Sequence, residues 1–363
     1  MIILFYFFTG FYFFFLFFII SGLIKQKRKI TPDQSKVIKV SVVVAARNEE
    51  SNIQNLIDDF LKQSYPKNKL EIIFSNDCST DRTGRILDEA AKNNTFIHHI
   101  NIETRSKDMT PKKYALEKAI QSATGDIIVT TDADCRVPEE WISSMASMVD
   151  SNGGIVIGFS KVLGKSFFHK YQMIDFLSIT AANAGFGGWN IFWSGSGQNL
   201  AYKKESFKKI GGFKPVKNRL SGDDMYLVQS ISKLDGATIN TDPRSFVKTK
   251  PVKSILAFIN QRSRWSSNAR VNLFKEPRFF CFLSSAFLCN LSLLMSFFIY
   301  KVEFFVILLL KFIFEGVVIL LGGKVFSVVF RPMVFSLWSL LQPIYIPFIG
   351  LIGLVNLYSW KKE

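Results

Sequence analysis

The uncharged stretch from Ile2 to Ile24 constrains this chain more than any other feature. At about 1.5 Å per helical residue it crosses a hydrocarbon core of about 30 Å, so it predicts a membrane-spanning helix. Lys25, Lys27, Arg28 and Lys29 follow it, which places the positive flank after the span and the amino terminus outside. A cleavable signal peptide is disfavoured, because no basic region precedes the apolar stretch and no small-residue cleavage pattern follows it. The last third of the chain repeats the theme. Phe279 to Tyr300 is uncharged and apolar, the stretch around Phe304 to Gly323 is apolar apart from Glu303, Lys311 and Glu315, and Met333 to Trp360 is uncharged but carries Pro343 and Pro347. Three further hydrophobic segments are expected. Lys311 and Glu315 stand four apart and can pair on a helix, while the two prolines either kink the last segment or divide it into a re-entrant hairpin.

Between these ends lies a polar region from about Lys25 to Arg278. The expected division is a transmembrane helix over 1–24, a basic linker over 25–36, a cytoplasmic domain over 37–277 with an interfacial helix near 252–274, and a transmembrane region over 278–363. The net charge of +16 suits an anionic bilayer surface and anionic nucleotides. Nucleic acid is not an expected partner, since no helix-turn-helix, zinc or aromatic-basic RNA motif is present. Cys78, Cys135, Cys281 and Cys289 form no Cys-x-x-Cys or Cys/His cluster, and His98, His99 and His169 offer no metal-ligand spacing.

Within the polar region, VSVVVAA (Val40 to Ala46) is a continuous apolar run of the kind buried on both faces of a parallel sheet. It ends in Arg47-Asn48-Glu49-Glu50, and helical periodicity follows through Ile53, Leu56, Ile57, Phe60 and Leu61. A second strand, Leu70 to Ser75, runs into NDCSTDRT, and a helix follows from about Gly84 to Asn93. Strand, helix, strand, helix at this spacing opens a doubly wound α/β domain, in which ligands bind beyond the carboxyl ends of the strands. Asp77 falls at such an end. So do Asp132 and Asp134 in GDIIVTTDADC (Gly125 to Cys135), two carboxylates that leave the same face of an extended segment and repel unless a cation lies between them. A hard divalent ion, Mg²⁺ or Mn²⁺, answers that need, and a solvated turn is the alternative.

These stretches, taken in order, resemble the membrane-anchored family 2 glycosyltransferases with the GT-A nucleotide-sugar-binding fold, in the cellulose synthase-like and ceramide glucosyltransferase-like superfamily. The resemblance runs from about Val40 to Trp265. VSVVVAARNEE is similar to the opening strand, IIFSNDCSTDRT to the second strand and its acidic loop, and KKYALEKAI to the Lys-x-x-Ala-Leu helix. TTDADC is similar to the Asp-x-Asp site, SGSGQNLAYKKESFKKIGGF to the segment ending Gly-Gly-Phe, SGDDMYL to Glu-Asp-x-x-Leu, and QRSRW to Gln-x-x-Arg-Trp. Asn76 stands where the family usually has its first aspartate, and Asp223 where it often has glutamate.

The resemblance implies transfer of a sugar from a nucleoside diphosphate, of uridine type, to a hydroxyl. Ala46, Arg47, Glu49 and Asp77 are then expected around the nucleotide, with Asp77 toward the base. Asp134 is the expected direct metal ligand, and Asp132 contacts the ribose or supports the metal through water. Lys112 is expected to face the phosphates, its neighbour Lys113 being the alternative. Asp224 holds the base position beside Asp223, and Ser221-Gly222-Asp223-Asp224 equally reads as a helix start. A single base acting in a direct displacement implies inversion. Gln261, Arg264 and Trp265 fall on a helix expected over Val252 to Phe274. There Arg264 is implied for the diphosphate and Trp265 for the acceptor, while a tryptophan at this place also anchors at a bilayer interface. Phe167 to Trp193 is expected as a helix and loop near the membrane, shaping the acceptor side.

The sequence thus points to an integral membrane protein, of a bacterial inner membrane with its catalytic domain cytoplasmic, glycosylating a lipid-linked or saccharide acceptor. A processive polysaccharide synthase is the nearest alternative, although four hydrophobic segments are few for a self-contained channel. A non-catalytic nucleotide-sugar-binding scaffold is the alternative of another class, and retention of Asp132, Asp134 and Asp224 argues against it.

Overall fold

The computed structural model describes residues 2–26 and 37–358. Most of the basic linker expected over 25–36 lies outside the described residues. In chain order the elements are helix α1 (Ile2–Lys25), β1 (Val40–Ala46), α2 (Ile53–Leu61), β2 (Leu70–Asp77), α3 (Thr83–Asn93), β3 (Ile97–Ile102), α4 (Pro111–Ser122), β4 (Ile127–Thr130), α5 (Trp141–Asn152), β5 (Ile155–Ile157) and β6 (Ser160–Val162). They continue with α6 (Phe167–Gly187), β7 (Leu200–Lys203), α7 (Lys204–Lys209), α8 (Asp223–Asp235), β8 (Ala237–Ile239), β9 (Val247–Thr249), α9 (Ile255–Ser266), α10 (Ala269–Lys275), α11 (Pro277–Ile299), α12 (Lys301–Val325) and α13 (Pro332–Leu354). The chain forms two compact units. A sheet unit holds residues 37–163 and Ser194–Lys250, and a helical unit holds residues 2–26, Gly164–Trp193 and 251–358.

The sheet unit is a seven-stranded sheet in the order β3-β2-β1-β4-β7-β5-β8. Strands β3, β2, β1 and β4 run parallel, and β7 is antiparallel to both β4 and β5. The apolar run of β1 is buried along almost its whole length, as a central parallel strand requires. Helix α2 turns Ile53, Leu56, Ile57 and Phe60 inward at helical spacing, and Phe60 stacks on Trp141 of α5 with centroids 6.3 Å apart. After β3 the chain crosses to the far side of β1 before forming β4. The order therefore reverses between β1 and β4, and the crevice of a doubly wound sheet opens at their carboxyl ends. A small two-stranded sheet, β6 with β9, completes the unit.

In the helical unit, α1, α11, α12 and α13 are each long and apolar enough to cross a membrane. Residue α1 Gly22 meets α6 Gly185 so closely that a Cβ at position 22 would fall 1.8 Å from the Gly185 carbonyl oxygen. Small residues at such a crossing let two backbones approach, which is how helices gain contact where no water drives them together. Lys311 and Glu315 of α12 pair at 2.7 Å, and Glu315 also accepts from Tyr12 of α1 at 2.9 Å and from Ser339 of α13 at 2.7 Å. Helix α13 is continuous through Pro343 and Pro347. The hairpin alternative is therefore not adopted. The single helix read over Val252 to Phe274 is two, α9 and α10, parted at Ser267-Asn268, where the Asn268 amide donates to the Trp265 carbonyl at 3.3 Å.

Candidate active site

At the carboxyl end of β1, Ala46 is buried and Arg47 is partly exposed. Asn48 then takes a positive φ of 53°, a conformation asparagine tolerates better than most residues. This loop interlocks with the loop after β2: Asn48 N–H donates to Ser79 Oγ at 3.0 Å, Thr80 N–H to Asn48 Oδ1 at 2.8 Å, and Glu49 N–H to Thr83 Oγ1 at 2.8 Å. Glu49 in turn accepts from the Asn52 amide at 2.7 Å. Asp77 closes β2 and is 5% exposed. Asn76 donates to Asn101 Oδ1 on β3 at 2.9 Å, a bond an ionised aspartate could not make.

At the end of β4 the structure differs from the extended geometry expected for the acidic pair. The strand stops at Thr130, and Asp132 to Cys135 form a turn closed by Cys135 N–H to Asp132 O at 3.1 Å. Both carboxylates remain partly exposed on either side of buried Ala133. The turn is fastened beyond the pair. Arg136 pairs through its backbone with Lys248, and its guanidinium grips Asp59 of α2 through two bonds of 2.6 Å. Neither Asp59 nor Arg136 stood out in the sequence. An isolated acid and base 77 residues apart carry no local signal.

Lys112 and Lys113 part company on α4. Lys112 forms an ion pair with Asp132 at 2.6 Å, whereas Lys113 is 1% exposed and donates to the Arg219 carbonyl and to Thr110. Burial works against the Lys112 charge, but Asp132, Asp223 and Asp224 outweigh it and hold the ammonium above the ordinary lysine range. Lys113 is lowered, chiefly by burial.

Asp223 and Asp224 open α8, and Gly222 before them has a φ of 85° that a larger side chain would resist. The helix-start and site readings of this segment are thus compatible. Asp224 accepts from Met225 N–H at 2.7 Å and from Gly197 N–H at 3.3 Å, which fixes the carboxylate plane. The Gly197 carbonyl accepts from Thr130 at 3.0 Å, so this glycine ties the end of β4 to Asp224. Burial first, and then Asp223, push Asp224 up to about 6, a value that belongs to the pair. Asp134 is likewise raised, by burial and then by Asp132 and Glu49. Asp132, Lys112, Asp223 and Asp224 line one small cleft of about 20 Å³ with Thr131 and Tyr202. The hydroxyls of Thr131 and Tyr202 are buried there with no hydrogen-bond partner among the described residues. Tyr202 was not singled out by the sequence, because nothing local marks it within the segment SGSGQNLAYKKESFKKIGGF that contains it.

These residues fit a divalent cation. Among the described residues no cluster of three or more His, Cys, Asp or Glu side chains is grouped to enclose a metal. Asp132 and Asp134 instead offer hard oxygens in a site where the Asp134 charge is disfavoured by burial and then by neighbouring negative charge. That is the donor set of an ion held by one or two carboxylates and completed by phosphate oxygens and water. Gln261, Arg264 and Trp265 lie on α9 in the helical unit. They share one helix but belong to a different unit from the acidic cluster.

Residues 41–214 match Glycosyl transferase family 2. The chain is 29% identical over 235 residues to a probable glycosyltransferase, YdaM, of Bacillus subtilis, covering 63% of this chain and 54% of that protein. It is 27% identical over 237 residues to a beta-monoglucosyldiacylglycerol synthase of a Nostoc species, covering 62% and 48%. It is 25% identical over 254 residues to a poly-beta-1,6-N-acetyl-D-glucosamine synthase of Staphylococcus epidermidis, covering 68% and 58%. The chain thus spans about half the length of these curated relatives. Among solved structures, a mannosyltransferase from Pyrobaculum calidifontis in complex with GDP-Man and Mn²⁺ superposes with a TM-score of 0.64 at 18% identity, covering 100% of this chain and 98% of that one. Sheet order, crevice and sequence match agree, and the chain carries a family 2 glycosyltransferase domain of GT-A-like fold together with four helices able to cross a membrane.

Proposed function

We propose that the protein is an inverting, metal-dependent glycosyltransferase that moves a sugar from a nucleoside diphosphate, of uridine type, to a lipid-linked acceptor at a membrane surface. The observation that carries this reading is the placement of Asp224 in one cleft with Lys112 and Asp132, so that a proton acceptor and a diphosphate-facing cation share a site. The acceptor hydroxyl attacks the anomeric carbon as the bond from sugar to phosphate breaks. Asp224 takes the hydroxyl proton on a carboxylate oxygen whose plane the Gly197 and Met225 N–H groups hold. Lys112 stabilises the charge gathering on the departing diphosphate. Asp134, with Asp132, would hold a divalent ion, which would supply further positive charge to the same group. Ala46, Arg47, Glu49 and Asp77 are proposed for the nucleotide. Arg264 is proposed for the diphosphate, and Gln261 and Trp265 for the acceptor, on the resemblance of their motif alone.

The lipid acceptor is supported by four membrane-length helices and by a relative named for glucosyldiacylglycerol synthesis. A relative named for poly-N-acetylglucosamine synthesis keeps processive synthesis as the second reading. The proposed organisation keeps the divisions at 24, 36 and 277, with the catalytic domain on the cytoplasmic side of a bacterial inner membrane. The test offers isolated membranes a panel of radiolabelled UDP- and GDP-sugars with Mg²⁺ or Mn²⁺, comparing wild type with Asp224→Asn. Label in a lipid extract, lost with chelator and in the variant, is the expected result. Label in high-mass insoluble material would favour the synthase, and nucleotide binding without turnover of any donor would sink the enzymatic reading.

A further inference from the structure

Helix α6 was expected only to shape an acceptor side, yet one face of it makes a set of contacts that converge on the Gln261-Arg262-Ser263-Arg264-Trp265 stretch. Gln172, Asp175 and Phe176 stand at i, i+3 and i+4, so they line one face. Gln172 bonds the Val252 backbone reciprocally, its amide donating to the carbonyl at 3.0 Å and its oxygen accepting from the N–H at 2.9 Å. Two residues later Ser254 caps α9 by accepting from Ala257 N–H at 3.2 Å. Asp175 pairs with Arg262 at 2.6 Å, both side chains 5% exposed, and accepts from the Trp338 indole of α13 at 3.2 Å. Phe176 lies 6.2 Å from Trp265, centroid to centroid.

Arg262 is the residue through which this platform reaches the motif. Its guanidinium spends one N–H on Asp175 and another on Gln261 Oε1 at 2.6 Å. Its plane lies over the Phe258 ring at 4.5 Å and over the Trp265 ring at 4.2 Å. One group thereby fixes the carboxamide of Gln261 and contacts the face of Trp265. Lysine could carry the same charge, but it has neither the plane to stack nor the fork to bond two partners in fixed directions. Stability alone does not account for the arrangement, because a buried ion pair is often no more stable than apolar residues of similar volume. Orientation does.

We propose that Asp175 and Arg262 are positioning residues: Asp175 orients the Arg262 guanidinium, which in turn sets the Gln261 carboxamide and the Trp265 ring for the acceptor. The acceptor role of Gln261 and Trp265 rests on the function proposed above, whereas the orientation of the two side chains does not.

Two readouts separate these layers in the full-length protein in detergent micelles. The first is the kinetics of Arg262→Lys and Asp175→Asn. Both keep volume close to the original, and Asp175→Asn keeps an acceptor oxygen. The expected result for Arg262→Lys is a rise of about 10- to 100-fold in acceptor KM, with donor KM within about twofold. Asp175→Asn is expected to lie between it and wild type. The second is ¹⁹F NMR with 5-fluorotryptophan, the Trp265 signal being assigned through Trp265→Phe. It is expected to shift or broaden in both variants whether or not any turnover is seen. A Trp265 signal moved in both variants, with no transferase activity in the wild type, would uphold the positioning and reject the functional reading. An unmoved Trp265 signal in Arg262→Lys, or a loss of active enzyme with every KM unchanged, would overturn the positioning and leave Asp175 and Arg262 as a structural clamp.

Discussion

The two units treat charge in opposite ways. In the sheet unit, Asp132, Asp223 and Asp224 all act on one lysine, Lys112, and Asp134 and Asp224 are held above the ordinary carboxyl range by burial and by their acidic neighbours. In the helical unit, Arg262 meets Asp175 at 2.6 Å and Lys311 meets Glu315 at 2.7 Å, with hydroxyl and indole donors filling the remaining lone pairs. Surplus charge of one sign costs stability and persists where a ligand of the other sign completes it. Matched charge inside a helical bundle needs no ligand and specifies which helix faces which. The acidic cluster therefore reads as a place for a cation and a diphosphate, and the buried pairs as devices of architecture and orientation.

The comparison breaks most decisively at Asp224. Replacing it by asparagine keeps one of the two backbone bonds, since Met225 N–H and Gly197 N–H reach different carboxylate oxygens and the amide has one, and it removes the ability to take a proton. Transfer is expected to fall by about 10²- to 10⁴-fold. Thermal unfolding in detergent is expected close to the wild-type temperature, because removal of a buried, mutually repelling negative charge offsets the backbone bond that is lost. A variant with lost transfer and lost stability would mean that Asp224 holds the fold rather than the chemistry.

The paired charges are expected to behave in reverse. Glu315→Leu strands the Lys311 ammonium at a fully buried position and should cost about 3–5 kcal/mol. The double variant Lys311→Met with Glu315→Gln removes both charges and leaves an amide that accepts from one of the Tyr12 and Ser339 hydroxyls and donates to the other, so it should lie within about 1 kcal/mol of wild type. Unfolding midpoints of the two variants, measured in the same detergent, decide the point. Equal losses in both would assign the cluster a role beyond pairing. A smaller effect of the same architecture is expected at Gly22→Ala, where the new methyl collides with the Gly185 carbonyl and should cost about 1–3 kcal/mol.

Much of the sheet unit was legible because its signals are local. The run VSVVVAA gave the bounds of β1 directly, since a strand buried on both faces must be apolar at every position. The four spans were legible for the analogous reason that hydrocarbon tolerates few charges. Strands β5, β6, β8 and β9, three residues each, left no periodicity to read. The acidic pair was read as leaving one face of an extended segment at the strand's end, with a turn as the alternative, and the chain does turn at Asp132, fastened by Arg136 to Lys248 and Asp59, partners far away in sequence. The same holds for the site. Asp224, Asp132 and Lys112 were found through short motifs, whereas Tyr202, Gly197 and Arg262 draw their importance from tertiary neighbours. Sequence also could not choose between Lys112 and Lys113. Adjacent helical positions point about 100° apart, and only the fold shows which direction meets the carboxylates.

The finest test of the contrast is a pH profile. Asp224 must be ionised to accept a proton, and burial with Asp223 beside it raises that ionisation to about 6. Transfer is therefore expected to be full well above pH 6 and to fall about tenfold per unit below it. Stability runs the other way. A carboxyl whose folded value lies above its unfolded value binds its proton more tightly when folded, so the fold gains stability as pH drops from about 6 toward the ordinary carboxyl range. Asp223→Asn removes one of the two causes and should move the acidic limb of kcat/KM toward lower pH, with burial holding it above the ordinary value. Lys112 acts in the opposite sense on the same group, so Lys112→Met should carry the limb upward. If both variants leave the limb where it stands in wild type, the group titrating near 6 is not Asp224. The surplus charge of the sheet unit would then belong to binding alone.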